Sequence, residues 1–168
     1  MEIDITSVVI GIASLATFAV PIGYDQFKVK RAKRKSEEQF LNSASETGFV
    51  HGSFEVLHNG AAIGICLNRE ELLYVKKSSA YTLIELCDVT SSSTYKSESV
   101  LTDNNGLKQN FKEMGIKLST RHSGDIKLPV FEGRDGTQRG NESLIIERWM
   151  SKINKAVRDI TQPVSSPA

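Results

Sequence analysis

The sequence predicts an α+β fold in which an apolar N-terminal helix leads into six or seven short strands, closed by a C-terminal amphipathic α-helix. Three observations carry this expectation. Ile5 to Tyr24 (ITSVVIGIASLATFAVPIGY) runs without a charge between Asp4 and Asp25. From Phe49 to Val130 apolar and polar residues alternate in short segments separated by Asn, Gly, Ser and charged residues, which is the period-two signature of half-buried strands. From about Asn141 to Ile160 the period changes, and Ile145, Trp149, Ile153 and Val157 recur at helical spacing with Ile146, Met150 and Ala156 beside them.

The first run has the length of a membrane span, since about twenty helical residues cover roughly 30 Å, the thickness of a bilayer's hydrocarbon core. Residues 1–4 precede it as a short outer segment carrying Glu2 and Asp4, and Lys28, Lys30, Arg31, Lys33, Arg34 and Lys35 follow it closely. The positive-inside rule then places the N-terminus outside and the remaining chain in the cytoplasm, as a single-pass inner-membrane protein. A cleavable signal peptide would carry its positive charge before the apolar run, and here the charge comes after. Ser7 and Gly11, four residues apart, mark a face on which a second helix could pack closely. The six basic residues are expected to meet anionic headgroups.

Residues 25–48 read as a basic juxtamembrane helix that passes into a polar linker, Asn42 to Gly48. Residues 49–160 form the domain. Its expected strands are Phe49 to Leu57, Ala61 to Leu67, Leu72 to Val75, Tyr81 to Val89, Ser93 to Val100, Ile116 to Thr120 and Ile126 to Val130. His58-Asn59-Gly60 and His122-Ser123-Gly124-Asp125 supply the turns, and Leu107 to Met114 reads as a short helix. Pro129 lacks an N–H, so its strand lies at an edge or ends there. Residues 161–168 read as a disordered tail.

AAIGICLNREELLYV, YTLIELCDV, the hairpin IKLSTRHSGDIKLPVF and the closing ESLIIERWMSKINKAV together resemble bacterial membrane-anchored proteins with a pleckstrin-homology-like domain, a largely uncharacterised group. The resemblance implies a half-open β-barrel of two roughly orthogonal sheets. Its end is plugged by the last helix, with Ile145, Trp149, Ile153 and Val157 as the capping core. Phosphoinositide-binding members carry a basic pair between the first two strands, and His58-Asn59-Gly60 has no Lys or Arg.

Chemistry is sparse. The charge balance of 21 Lys+Arg against 20 Asp+Glu, net +1, gives no reason to expect nucleic acid. Cys66 and Cys87 lack the spacing of a metal site and read as reduced core thiols. His51, His58 and His122 read as solvated imidazoles, and Gly133 to Thr137 as a flexible loop without the strand and helix a phosphate cradle needs. No catalytic set, cofactor or metal is expected. The sequence reading is therefore a membrane-anchored, non-enzymatic adaptor that binds an unknown protein, another membrane protein or a second copy of itself; the alternative is a module that senses anionic lipid or the envelope.

Overall fold

The structure is a computed structural model that describes residues 5–66, 70–102, 108–134 and 140–161, with backbone alone at 5–16, 18–23, 25, 101–102, 108–109, 111 and 134. It is α+β, with two helices and two antiparallel sheets. The chain divides into two units, Met1–Lys35 and Ser36–Ala168.

The division falls inside helix α1 (Ile5–Thr47). Among the described residues no helix is long and apolar enough to cross a membrane, which corrects the transmembrane helix expected at Ile5 to Tyr24 and the single-pass inner-membrane placement built on it. The run is free of charge and carries Thr6, Ser7, Gly11, Ser14, Thr17, Pro21 and Gly23 among its apolar residues. The expected orientation, N-terminus out and domain in, goes with the span. Residues 1–4 and 162–168 lie outside the described residues.

In the second unit, β1 (Ser53–Val56), β2 (Ala62–Cys66), β3 (Glu71–Val75) and β4 (Tyr81–Glu85) form an antiparallel sheet in that order. A 3-10 turn at Leu86–Asp88 ends β4. Its backbone is tied to both sides, because the Leu86 N–H donates to the Glu70 carbonyl (2.6 Å) and the Asp88 carbonyl accepts from the Arg121 N–H (3.0 Å). Beyond it β5 (Val89–Thr102), β6 (Lys108–Thr120) and β7 (Asp125–Arg134) make the second sheet. The sheets share no strand among the described residues. Two sheets that do not close into a barrel therefore stand where the resemblance implies a half-open barrel, and the expected single strand Tyr81 to Val89 is split between them. The short helix expected over Leu107 to Met114 is also corrected, since the two-residue alternation of Met114, Ile116 and Leu118 extends back along β6.

Helix α2 (Glu142–Thr161) packs into a core that both sheets supply. Ile63 and Ile65 of β2, Leu72 and Tyr74 of β3, Ile116 and Leu118 of β6, and Leu128 and Val130 of β7 meet Ile145, Ile146, Trp149, Ile153 and Ala156 there, with Val157 packed against it half-buried. Tyr74 crosses between the sheets: its hydroxyl donates to the Pro129 carbonyl at 2.7 Å, an acceptor shared with the Asn59 side-chain amide at 3.0 Å. At that point β7 departs from regular pairing, with Pro129 opposite Gly115 and Phe131 opposite Met114. A Cβ on Gly115 would stand 2.2 Å from the Leu128 carbonyl oxygen, so only glycine fits the crossing.

The other face of the first sheet is also covered. Phe40 and Ala44 of α1, one helical turn apart, lie with Phe49 on Ala62, Cys66, Leu73 and Val75. Residues 42–47, expected as a linker, are the last turns of this helix, which ends at Gly48 with φ of 68°.

Candidate functional site

Strand β4 is the outer strand of the first sheet, and no strand pairs with its second edge among the described residues. Its inward residue Ile84 is buried, while Tyr81 and Leu83, opposite Val75 and Leu73, remain 48% and 39% exposed. The cover that α1 gives β2 and β3 therefore stops short of β4. A strand edge offers unpaired N–H and C=O groups, and apolar side chains beside it favour addition of another strand.

A cleft of about 450 Å³ runs between β4 and the β6–β7 hairpin, lined by Leu83, Glu85, Cys87, Asp88, His122 and Ile126, among others. The hairpin is held in shape by its own bonds. The Thr120 hydroxyl accepts from the Ser123 N–H (3.1 Å) and donates to the Gly124 carbonyl (2.9 Å), and Gly124 adopts φ of 71°. Asp125 bonds Lys117 at 2.7 Å and the Ser119 hydroxyl at 2.7 Å, which holds its carboxyl below the usual aspartate range. The hairpin presents His122, whose Nδ1 lies 2.7 Å from Asp88 Oδ1 of the 3-10 turn. That contact fixes the imidazole across the cleft mouth.

A carboxylate, an imidazole and a thiol thus share one cleft, which the sequence reading did not bring together. They are not arranged as nucleophile and base: the Cys87 thiol donates towards Glu85 Oε2 at 3.8 Å and not to the imidazole. What the cleft offers is mixed charge, with Glu85 and Asp88 against Arg121, and the His122 imidazole beside them, around an apolar floor of Ile84 and Ile126. Among the described residues no group of three His, Cys, Asp or Glu side chains could hold a metal ion.

The residues singled out from sequence are dispersed. Lys28, Lys30, Arg31, Lys33, Arg34 and Lys35 are exposed on α1, with the Lys28 ammonium 5.8 Å from the centre of the Tyr24 ring. With the span withdrawn, their expected place at a lipid surface loses the anchor that motivated it. Ser7 and Gly11 are helical, and their surroundings lie outside the described residues. Ile145, Trp149 and Ile153 are buried under the sheets. Trp149 is fixed by Glu55 of β1, which accepts from its indole N–H at 2.8 Å and from Arg148 at 2.6 Å. His51, His58 and His122 are all exposed. Cys66 is buried between α1 and the first sheet, whereas Cys87, expected in the core, is exposed on the turn. Most of Gly133 to Thr137 lies outside the described residues.

The signal for the β4 site was present in the chain: Tyr81 and Leu83 alternate with Thr82 and Ile84, and no lysine lies within Tyr81–Glu85 to blunt the edge. Reading Tyr81 to Val89 as one strand hid it. No protein-family model, curated protein or solved structure matches the chain.

Proposed function

We propose that the Ser36–Ala168 unit is a non-enzymatic protein-binding module that takes an extended segment of a partner protein along the free edge of β4. The observation that carries this reading is the open edge itself, with Tyr81 and Leu83 exposed and the 450 Å³ cleft, which Leu83, Ile84 and Glu85 line, running along it. Main-chain hydrogen bonds to β4 supply affinity, and side chains alternating to the two faces supply selectivity. One set meets Tyr81 and Leu83. The other enters the cleft, where Asp88, Arg121 and His122 offer donors and acceptors. The direction of the Cys87 thiol, towards a carboxylate, favours recognition over catalysis.

Selection of displayed random peptides on the full chain tests the proposal, with Tyr81→Lys/Leu83→Lys as the counter-selected variant. Binders with apolar residues at alternate positions that lose at least about tenfold in affinity on the variant support it, a loss of roughly 1.4 kcal/mol. Peptides that bind the variant as tightly as the native chain exclude the β4 edge.

A further inference from the structure

A second cleft, of about 510 Å³, lies on the opposite side of the same unit from β4's edge in the strand order, where the lead-in to β1 meets the C-terminal half of α2. Its floor is apolar: Ile65, Cys66 and Ala156 are buried, and Val50 at its mouth is 58% exposed. Its rim is basic. Lys152 and Lys155, three residues apart on α2 and exposed, face Asp159 as the single acid among the lining residues. Lys152 is held in place by Trp149, its ammonium 4.5 Å from the centre of the indole ring. Gly52 lies along the cleft, where its N–H donates to the Ile65 carbonyl at 3.2 Å and a Cβ would come within 3.2 Å of that oxygen.

The volume falls within the range of about 300–1,000 Å³ typical of small-molecule sites, which pair an apolar lining with a few placed polar groups. A net positive rim over an apolar floor complements one ligand class. We propose that this cleft binds a small organic anion in which a carboxylate is joined to a compact apolar body. The carboxylate sits between Lys152 and Lys155, and the apolar part lies on Ile65 and Ala156, with Val50 at the mouth. The aliphatic stems of the two lysines extend the apolar wall up to the charge.

Trp149 is the chain's single tryptophan, and the Lys152 ammonium lies over its ring, so its fluorescence responds to a change at Lys152. The full chain is titrated with octanoate, and with octylamine as a control of equal length and opposite charge. Lys155→Glu reverses one rim charge, and Ser53→Phe fills the mouth from the β1 side. The proposal expects a saturable fluorescence change with octanoate, no saturable change with octylamine, and a loss of about tenfold or more in octanoate affinity in Lys155→Glu, as for removal of a charge-assisted hydrogen bond. Equal binding of octylamine, unchanged octanoate affinity in both variants, or no saturable change with octanoate would each overturn it. Because neither variant touches β4, failure here leaves the β4 proposal to its own test.

Discussion

The ring of Phe40 occupies the space that a side chain on Gly64 would need: a Cβ built on Gly64 would stand 2.5 Å from Phe40 Cζ. Phe40 is fully buried in that position, stacked on Phe54 at 4.7 Å between ring centres and meeting Phe49 edge-on at 6.2 Å. The pair fixes the last turns of α1 to the outer face of the first sheet. It also accounts for a β2 strand that is buried at every position.

Gly64→Ala is therefore expected to destabilise the fold by about 1–3 kcal/mol, the usual cost of overpacking, and Phe40→Ala by about 3–5 kcal/mol. The double variant should cost clearly less than the sum, because removing the ring removes the clash. Urea unfolding of the four proteins measures this. Additive losses would mean that Phe40 does not pack on Gly64.

Glu55 joins β1 to α2 through two unequal partners, and the indole is the more important. The Trp149 side chain is fully buried, whereas Arg148 is 53% exposed at its side chain. Arg148→Ala should cost no more than about 1 kcal/mol, as for an exposed ion pair. Glu55→Ala should cost about 1.5–3 kcal/mol, because it leaves the indole N–H without its acceptor. Thermal unfolding of both variants separates the contributions, and equal costs would contradict the ranking.

The alkaline limb of stability should trace to two phenols. Burial raises Tyr74 above the ordinary tyrosine value, and nearby Glu132 and Glu113 add to it. Burial also raises Tyr95, helped by its hydrogen bond to Glu113. In the folded chain both hold protons that the unfolded chain releases near pH 10, so their contribution is complete below about pH 10 and is lost as the pH rises further. Tyr74→Phe, which gives up its bond to the Pro129 carbonyl, should lower stability by about 1 kcal/mol at neutral pH. The same variant should flatten the decline above pH 10. Denaturant midpoints measured from pH 7 to 11 check both effects, and an unchanged alkaline slope would contradict the assignment.

How much of this was legible in the chain depends on which element is asked. The stripe of Ile145, Trp149 and Ile153 shows α2 at once, because a helix that covers a sheet has a wide apolar face. The β6–β7 hairpin is equally plain from its alternation and Gly124. The N-terminal run misled because absence of charge was read as a membrane signal. The segment from Asn42 to Gly48 misled because its polar residues suggested a linker, although Phe40 and Ala44 stand one helical turn apart with no Gly or Pro between them. The run Ala61 to Leu67 held the missing clue. A half-exposed strand alternates, whereas AAIGICL is apolar throughout, the mark of a strand covered on both faces. The second cover had to come from elsewhere in the chain, and α1 supplies it. The break at Leu86–Asp88 was not readable locally, since it is fixed by backbone bonds to Glu70 and Arg121.

The binding account rests on β4 accepting a strand, and amide hydrogen exchange on the full chain tests that most directly. With a selected peptide bound at saturation, exchange of the alternate amides of Tyr81 to Glu85 that point away from β3 should slow by about tenfold or more as the edge becomes an interior strand, while those of Ser53 to Val56 on the opposite edge stay unchanged. Unchanged exchange along Tyr81 to Glu85 with the peptide fully bound would contradict the account.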